Sequence, residues 1–114
     1  MSRALVNALA ATLPGTVNSD PWGGGHDCWK VGGKMFANIG AHDDYGVDLK
    51  CADVETAQLV IEMGHGLRAP YAHASWIRVT WGLISDDELR DRVLTSYRII
   101  RSGLPKKVQA ALGP

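Results

Sequence analysis

Six cations are placed where one surface could collect them: Lys30, Lys34, Lys50, Arg78, Lys106 and Lys107. Lys30 and Lys34 bracket Gly32-Gly33 in the run Trp-Lys-Val-Gly-Gly-Lys-Met-Phe-Ala-Asn-Ile-Gly, Trp29 to Gly40. A Gly-Gly pair between two short runs is a hairpin signal, because glycine reaches the positive φ of tight primed turns. The hairpin tip is therefore basic. Lys50 falls on the polar side of a following alternating run, and Arg78 sits between Trp76 and Trp81. Lys106-Lys107 follow the longest helical pattern. Cations beside Trp29, Trp76 or Trp81 are what nucleic acid needs: charge for phosphates and rings for bases. Trp29, next to the tip, is the stacking candidate. The bland alternative is lysines that protect an edge strand and tryptophans that fill a core.

The remaining reactive side chains do not assemble into a motif. His26-Asp27 and His42-Asp43-Asp44 fall in loops, and His65 and His73 in turns. None has the spacing of a helical zinc site, and no metal or cofactor is expected. Cys28 lies near His26, but a thiol becomes a nucleophile only with a base held in reach. Gly64-His-Gly-Leu-Arg-Ala69 fits a dinucleotide string, yet it follows a helix instead of a strand. The two cysteines, without a Cys-x-x-Cys, read as reduced thiols of a cytoplasmic protein. An enzymatic site around His26, Cys28 and His42 has no pattern behind it, and the chain reads as non-enzymatic.

The 114 residues are enough for one domain with its own core. Twelve basic and twelve acidic residues give a net charge of zero. That balance argues against strong non-specific DNA binding and leaves room only for a local patch. No apolar run is long enough to cross a bilayer, so no membrane partner is expected.

The elements that must position these residues follow from periodicity. Leu5, Leu9 and Leu13 mark a first helix from Ser2, which serves as N-cap. Thr16 to Trp22 is a short edge strand interrupted at Asp20-Pro21. The hairpin arms are Asp27–Val31 and Lys34–Ile39, with Met35, Ala37 and Ile39 on one face. Val47, Leu49 and Cys51 alternate with Asp48 and Lys50, a strand with one wet face. Asp53 caps a helix ending at Gly64. Leu67 to Tyr71 is short and extended, and Ser75 to Trp81 is a β-branched and aromatic strand. Ser85-Asp-Asp-Glu88 is a capping box that opens the longest helix. On that helix Arg98 and Arg101 lack the acidic partners that Arg90 and Arg92 have four residues earlier, so they are candidates for outside contacts. Leu104-Pro105 starts a last short helix. The fold class is α+β: a single domain, 1–114, with a twisted antiparallel sheet and flanking helices, in the rough order α-β(3)-α-β(2)-α.

Taken together, Leu13-Pro-Gly15, Pro21-Trp-Gly23, Lys30-Val-Gly-Gly-Lys-Met-Phe-Ala37, Leu49-Lys-Cys51, Pro70-Tyr71, Ser75-Trp-Ile77, Ser96-Tyr97 and Leu104-Pro-Lys-Lys107 resemble the MmcQ/YjbR family. The resemblance implies a fold like CyaY and the type III secretion chaperones. It also implies the "double wing" DNA-binding description attached to that family, and it brings no catalytic residues or cofactor. Two expectations follow. One is a weak DNA binder that uses Lys30, Lys34, Lys50, Arg78, Lys106 and Lys107 on phosphates and Trp29 on a base. The other is a protein-interaction or chaperone-like module, homodimeric or capturing a partner segment by strand addition.

Overall fold

The computed structural model describes residues 2–41 and 45–113. His42, Asp43 and Asp44, read above as part of a turn, lie outside the described residues. The elements run α1 (Arg3–Thr12), β1 (Thr16–Ser19), β2 (Asp27–Val31), β3 (Lys34–Ile39), β4 (Gly46–Lys50), α2 (Val54–Glu62), β5 (Leu67–Arg68), β6 (Trp76–Thr80), α3 (Asp86–Ser102) and α4 (Lys106–Leu112). The α+β class is as expected, but four strands, not three, separate α1 from α2. β1 is short because Asp20-Pro21 stops it, yet its four residues all pair with β2.

The capping signals act where the sequence puts them. Ser2, Asp53 and Ser85 accept the backbone N–H of Leu5, Thr56 and Glu88 respectively, each satisfying a donor that the first turn leaves without a partner. The Asp53 carboxyl is held below its ordinary pKa chiefly by the Thr56 N–H. The glutamate expected to close the Ser85 box turns elsewhere, its Oε2 lying 3.0 Å from His65 Nδ1 just beyond α2.

The strands form a six-stranded antiparallel sheet in the order β1-β2-β3-β4-β6-β5. α3 lies across β2, β3 and β4, α1 covers β1 and touches α3, and α2 packs on β6. The core fills the space between helices and sheet. Phe36, Ile39, Leu49, Ile77, Leu89 and Val93 are fully buried there, and the Phe36 and Tyr97 rings pack nearly perpendicular with their centres 5.3 Å apart.

Gly32 and Gly33 make the β2–β3 turn at φ +57° and +79°, the left-handed values that the pair was expected to supply. The hairpin departs from simple alternation at one point. The register slips between Trp29 and Lys30, so that Trp29 faces Ala37 while Lys30 faces Met35. Phe36 is the extra residue of a β-bulge, which turns both Phe36 and Ala37 to the helices. Met35 therefore leaves the apolar face that alternation assigned to it and joins Lys30 on the opposite one. The bulge also spreads β3 from β4, whose pairing covers only Ala37↔Leu49 and Asn38↔Asp48. Ser96 of α3 fills the gap. Its hydroxyl donates to the Phe36 carbonyl at 2.6 Å and accepts the Lys50 N–H at 2.9 Å.

Candidate functional site

The helices cover one face of the sheet, and the other face carries the polar side chains. Two rows of neighbours cross it. The first runs Ser19, Cys28, Asn38, Asp48, Arg78, Leu67 through all six strands. The second, nearer the hairpin tip, runs Val17, Lys30, Met35 and continues on the far side of the bulge as Lys50, Trp76.

The second row holds the basic end. Lys34, Lys50, Met35 and Trp76 line a hollow of about 460 Å³, closed from the helix side by Ile99, Ile100 and Leu104. Pro105 completes the wall, and Lys106-Lys107 begin α4 immediately after it, both exposed. Leu104 is drawn against the turn, where it lies so close to Gly32 that a Cβ there would sit 2.5 Å from a Leu104 methyl. Lys50 is tied to its neighbours by hydrogen bonds. Its ammonium donates to Ser75 Oγ at 2.6 Å and to the Cys51 carbonyl at 3.0 Å.

The first row floors a larger cleft of about 630 Å³. Asp48 and Arg78 lie directly opposite each other and form a two-pronged ion pair, Nε to Oδ1 at 2.8 Å and Nη2 to Oδ2 at 3.1 Å. Asp48 is consequently only 7 % exposed, so the face read as wet is occupied by an internal pair. Asn38 lies beside Asp48, and its Oδ1 is buried with no hydrogen-bond partner among the described residues. Two loops wall the cleft. One brings Trp22 and His26, whose rings stand 5.1 Å apart, and the other brings Pro70, Tyr71 and Ala72. Met35 lines both hollows, which makes the open face continuous from the lysines to the aromatic walls.

The expected site residues are thus partly assembled. Lys30 and Lys50 lie at one end of the open face, Lys34 pairs with the buried Val31 on the other face and meets the same hollow from the helix side, and Lys106-Lys107 adjoin it. Arg78 is on the open face, but its guanidinium is already committed to Asp48. Trp29 is not a stacking residue. It is 7 % exposed on the helix side, with its indole N–H donated to Asn7 Oδ1 at 2.8 Å. The ring next to the tip is core because the residue pairs with Ala37, on the buried side of the bulge. Trp22 was missed, although an aromatic held between Pro21 and Gly23 belongs to no periodic apolar stripe, and it is 63 % exposed. Arg101 is likewise not free for outside contacts, since it donates to the Tyr97 hydroxyl and to the carbonyls of Gln109 and Gly113.

The groups that suggested other chemistry are engaged locally. His26 Nδ1 lies 3.2 Å from Asp20 Oδ1 and 3.0 Å from the Gly23 carbonyl. Cys28 and Cys51 are free, buried thiols, and burial pushes both above the ordinary thiol pKa. Among the described residues, no three His, Cys, Asp or Glu side chains gather to hold a metal ion. No described helix is long and apolar enough to cross a membrane.

The YjbR family profile matches residues 11–99, from the end of α1 to the last turns of α3. The chain belongs to the YjbR family. This YjbR chain also has the fold of a solved structure, the Deinococcus radiodurans protein DR2400, described by its DUF419 domain. The two agree with a TM-score of 0.79 over 95 % of this chain and 85 % of that one, at 20 % sequence identity. No curated protein matches it. The matched region spans the whole sheet, including both loops that wall the cleft.

Proposed function

We propose that this YjbR protein is a non-enzymatic, cytoplasmic DNA-binding module that holds the backbone weakly at the hairpin end of its open sheet face. The observation that supports this reading is the second row. A β-bulge and a serine from α3 place Lys30, Lys50, Met35 and Trp76 side by side on the uncovered face, with Lys34 over the same hollow. Lysine ammoniums gathered at that end can meet phosphates, and Lys106-Lys107 extend the charge along the rim. With no net charge to add attraction from afar, the affinity rests on these few contacts and falls steeply with salt.

The test is fluorescence anisotropy of labelled DNA at low and near-physiological salt. Lys30→Ala with Lys34→Ala should lower the slope of log affinity against log salt by about two, one for each phosphate that is no longer neutralised. An unchanged slope discards the assignment.

A second reading is favoured by the edge of the sheet. β1 borders the sheet with its side chain Val17 62 % exposed, so a strand from another chain could add there. Light scattering at high concentration separates a self-association of this kind from a monomeric binder.

A further inference from the structure

The aromatic cleft is not used by the backbone contacts just described. Trp22 and Tyr71 are among its walls, 63 % and 109 % exposed respectively, and polar clamps fix the backbone of the two loops that carry them. On one side Asp20 accepts the N–H groups of Gly25 at 2.8 Å and His26 at 3.0 Å, and the Gly25 N–H above all holds the Asp20 carboxyl below its ordinary pKa. Gly23, Gly24 and Gly25 all take positive φ, which lets the loop curl back over the sheet. On the other side the Arg68 guanidinium binds the Ala69 carbonyl at 2.7 Å and the Ala72 carbonyl at 2.9 Å, on either side of Tyr71. Tyr71 sits at φ +62°, where a bulky side chain is strained, and its ring gains no burial in return. Between the walls the floor is polar but internally neutralised, since Asp48 and Arg78 satisfy each other and their neighbour Asn38 is an uncharged amide.

Such a site suits a flat, polar, uncharged ring and not a phosphate, whose place is at the lysine end. Met35 joins the two hollows, so one strand could lie across both. We infer that the cleft takes an unpaired nucleobase, stacked on Trp22 or Tyr71, while neighbouring phosphates rest on Lys30, Lys34 and Lys50. This rests on the DNA-binding reading above and adds a selectivity to it. A base in a duplex is held in its own stack, so the protein prefers single-stranded DNA.

The test is anisotropy with a labelled single-stranded 12-mer and a duplex of the same length, on wild type, Trp22→Ala, Tyr71→Ala and the Lys30/Lys34 double alanine. Both rings are exposed, so the variants are expected to melt with the wild type, which a thermal scan checks. The inference predicts tighter single-strand binding, weakened roughly five-fold or more by the substitution of whichever ring, Trp22 or Tyr71, the base stacks on. That loss comes with an unchanged salt slope and little change for the duplex. If both aromatic variants bind the single strand as wild type does while the lysine variant fails, the base site is overturned and the DNA-binding reading stands. If wild type binds neither probe at low salt, both are overturned.

Discussion

Replacing Ser96 by alanine tests how the open face is built. The Ser96 hydroxyl is fully buried and serves two backbone groups that the bulge has separated, the Phe36 carbonyl and the Lys50 N–H. Neither has a ladder partner at that point, because β3 and β4 pair only at Ala37↔Leu49 and Asn38↔Asp48. Alanine removes one oxygen and strands both groups. Each stranded buried group costs about 1–3 kcal/mol, and partial relaxation of the strands recovers some of that, so the expected loss is about 2–4 kcal/mol. For a domain of this size that lowers Tm by roughly 8–15 °C. Chemical and thermal unfolding followed by circular dichroism reads it directly. Ser102→Ala is the control. Its hydroxyl is exposed and donates only to Ile99 of its own helix, at 2.9 Å, so the change should stay within about 0.5 kcal/mol. If Ser96→Ala costs no more than the control, the serine does not bridge the bulge and the placement of Lys50 has another cause.

Two further substitutions probe the hairpin and its anchorage. Gly32→Ala should cost about 1–2 kcal/mol in backbone strain and more as Leu104 is displaced, whereas Gly33→Ala, with open space around its Cβ, should show the strain alone; unfolding midpoints of the two distinguish them. Asp27 is held below its ordinary pKa. Burial works to raise it, but hydrogen bonds from Asn18, Arg3 and Asn7 and the Arg3 charge outweigh that. Its stabilisation is therefore complete above the unfolded carboxyl's pKa near 4 and is lost as pH falls through the lower folded value. Asp27→Asn should cost about 1–3 kcal/mol at neutral pH and flatten the fall in stability on acidification, and equal acid profiles for variant and wild type would refute the assignment.

Much of this architecture was legible in the residues. The three helix caps, the Gly32-Gly33 turn and the ends of both hairpin arms depend on local chemistry, which a sequence states directly. What could not be read depends on partners far along the chain. The bulge at Phe36 needs Ser96, 60 residues away, to satisfy its carbonyl. The burial of Asp48 needs Arg78, 30 residues away, opposite it on β6. Alternation alone made Met35 apolar-facing and Asp48 wet, and one register slip and one ion pair reverse both. The exchange of Trp29 for Trp22 as the ring available to a ligand has the same origin. Periodicity places a tryptophan on a strand but not on which side of a bulge it falls. The loop tryptophan between proline and glycine carried the better signal.

The most direct measurement is an amide correlation spectrum of ¹⁵N-labelled protein titrated with a short single-stranded DNA at low salt. DNA held across the open face predicts shifts clustered at Lys30, Lys34, Met35, Asn38, Lys50 and Arg78 and in the Trp22 and Tyr71 loops, with the outer face of α3 around Arg90 and Arg98 unmoved. Shifts confined to that helix face, or none at saturating DNA, would contradict it.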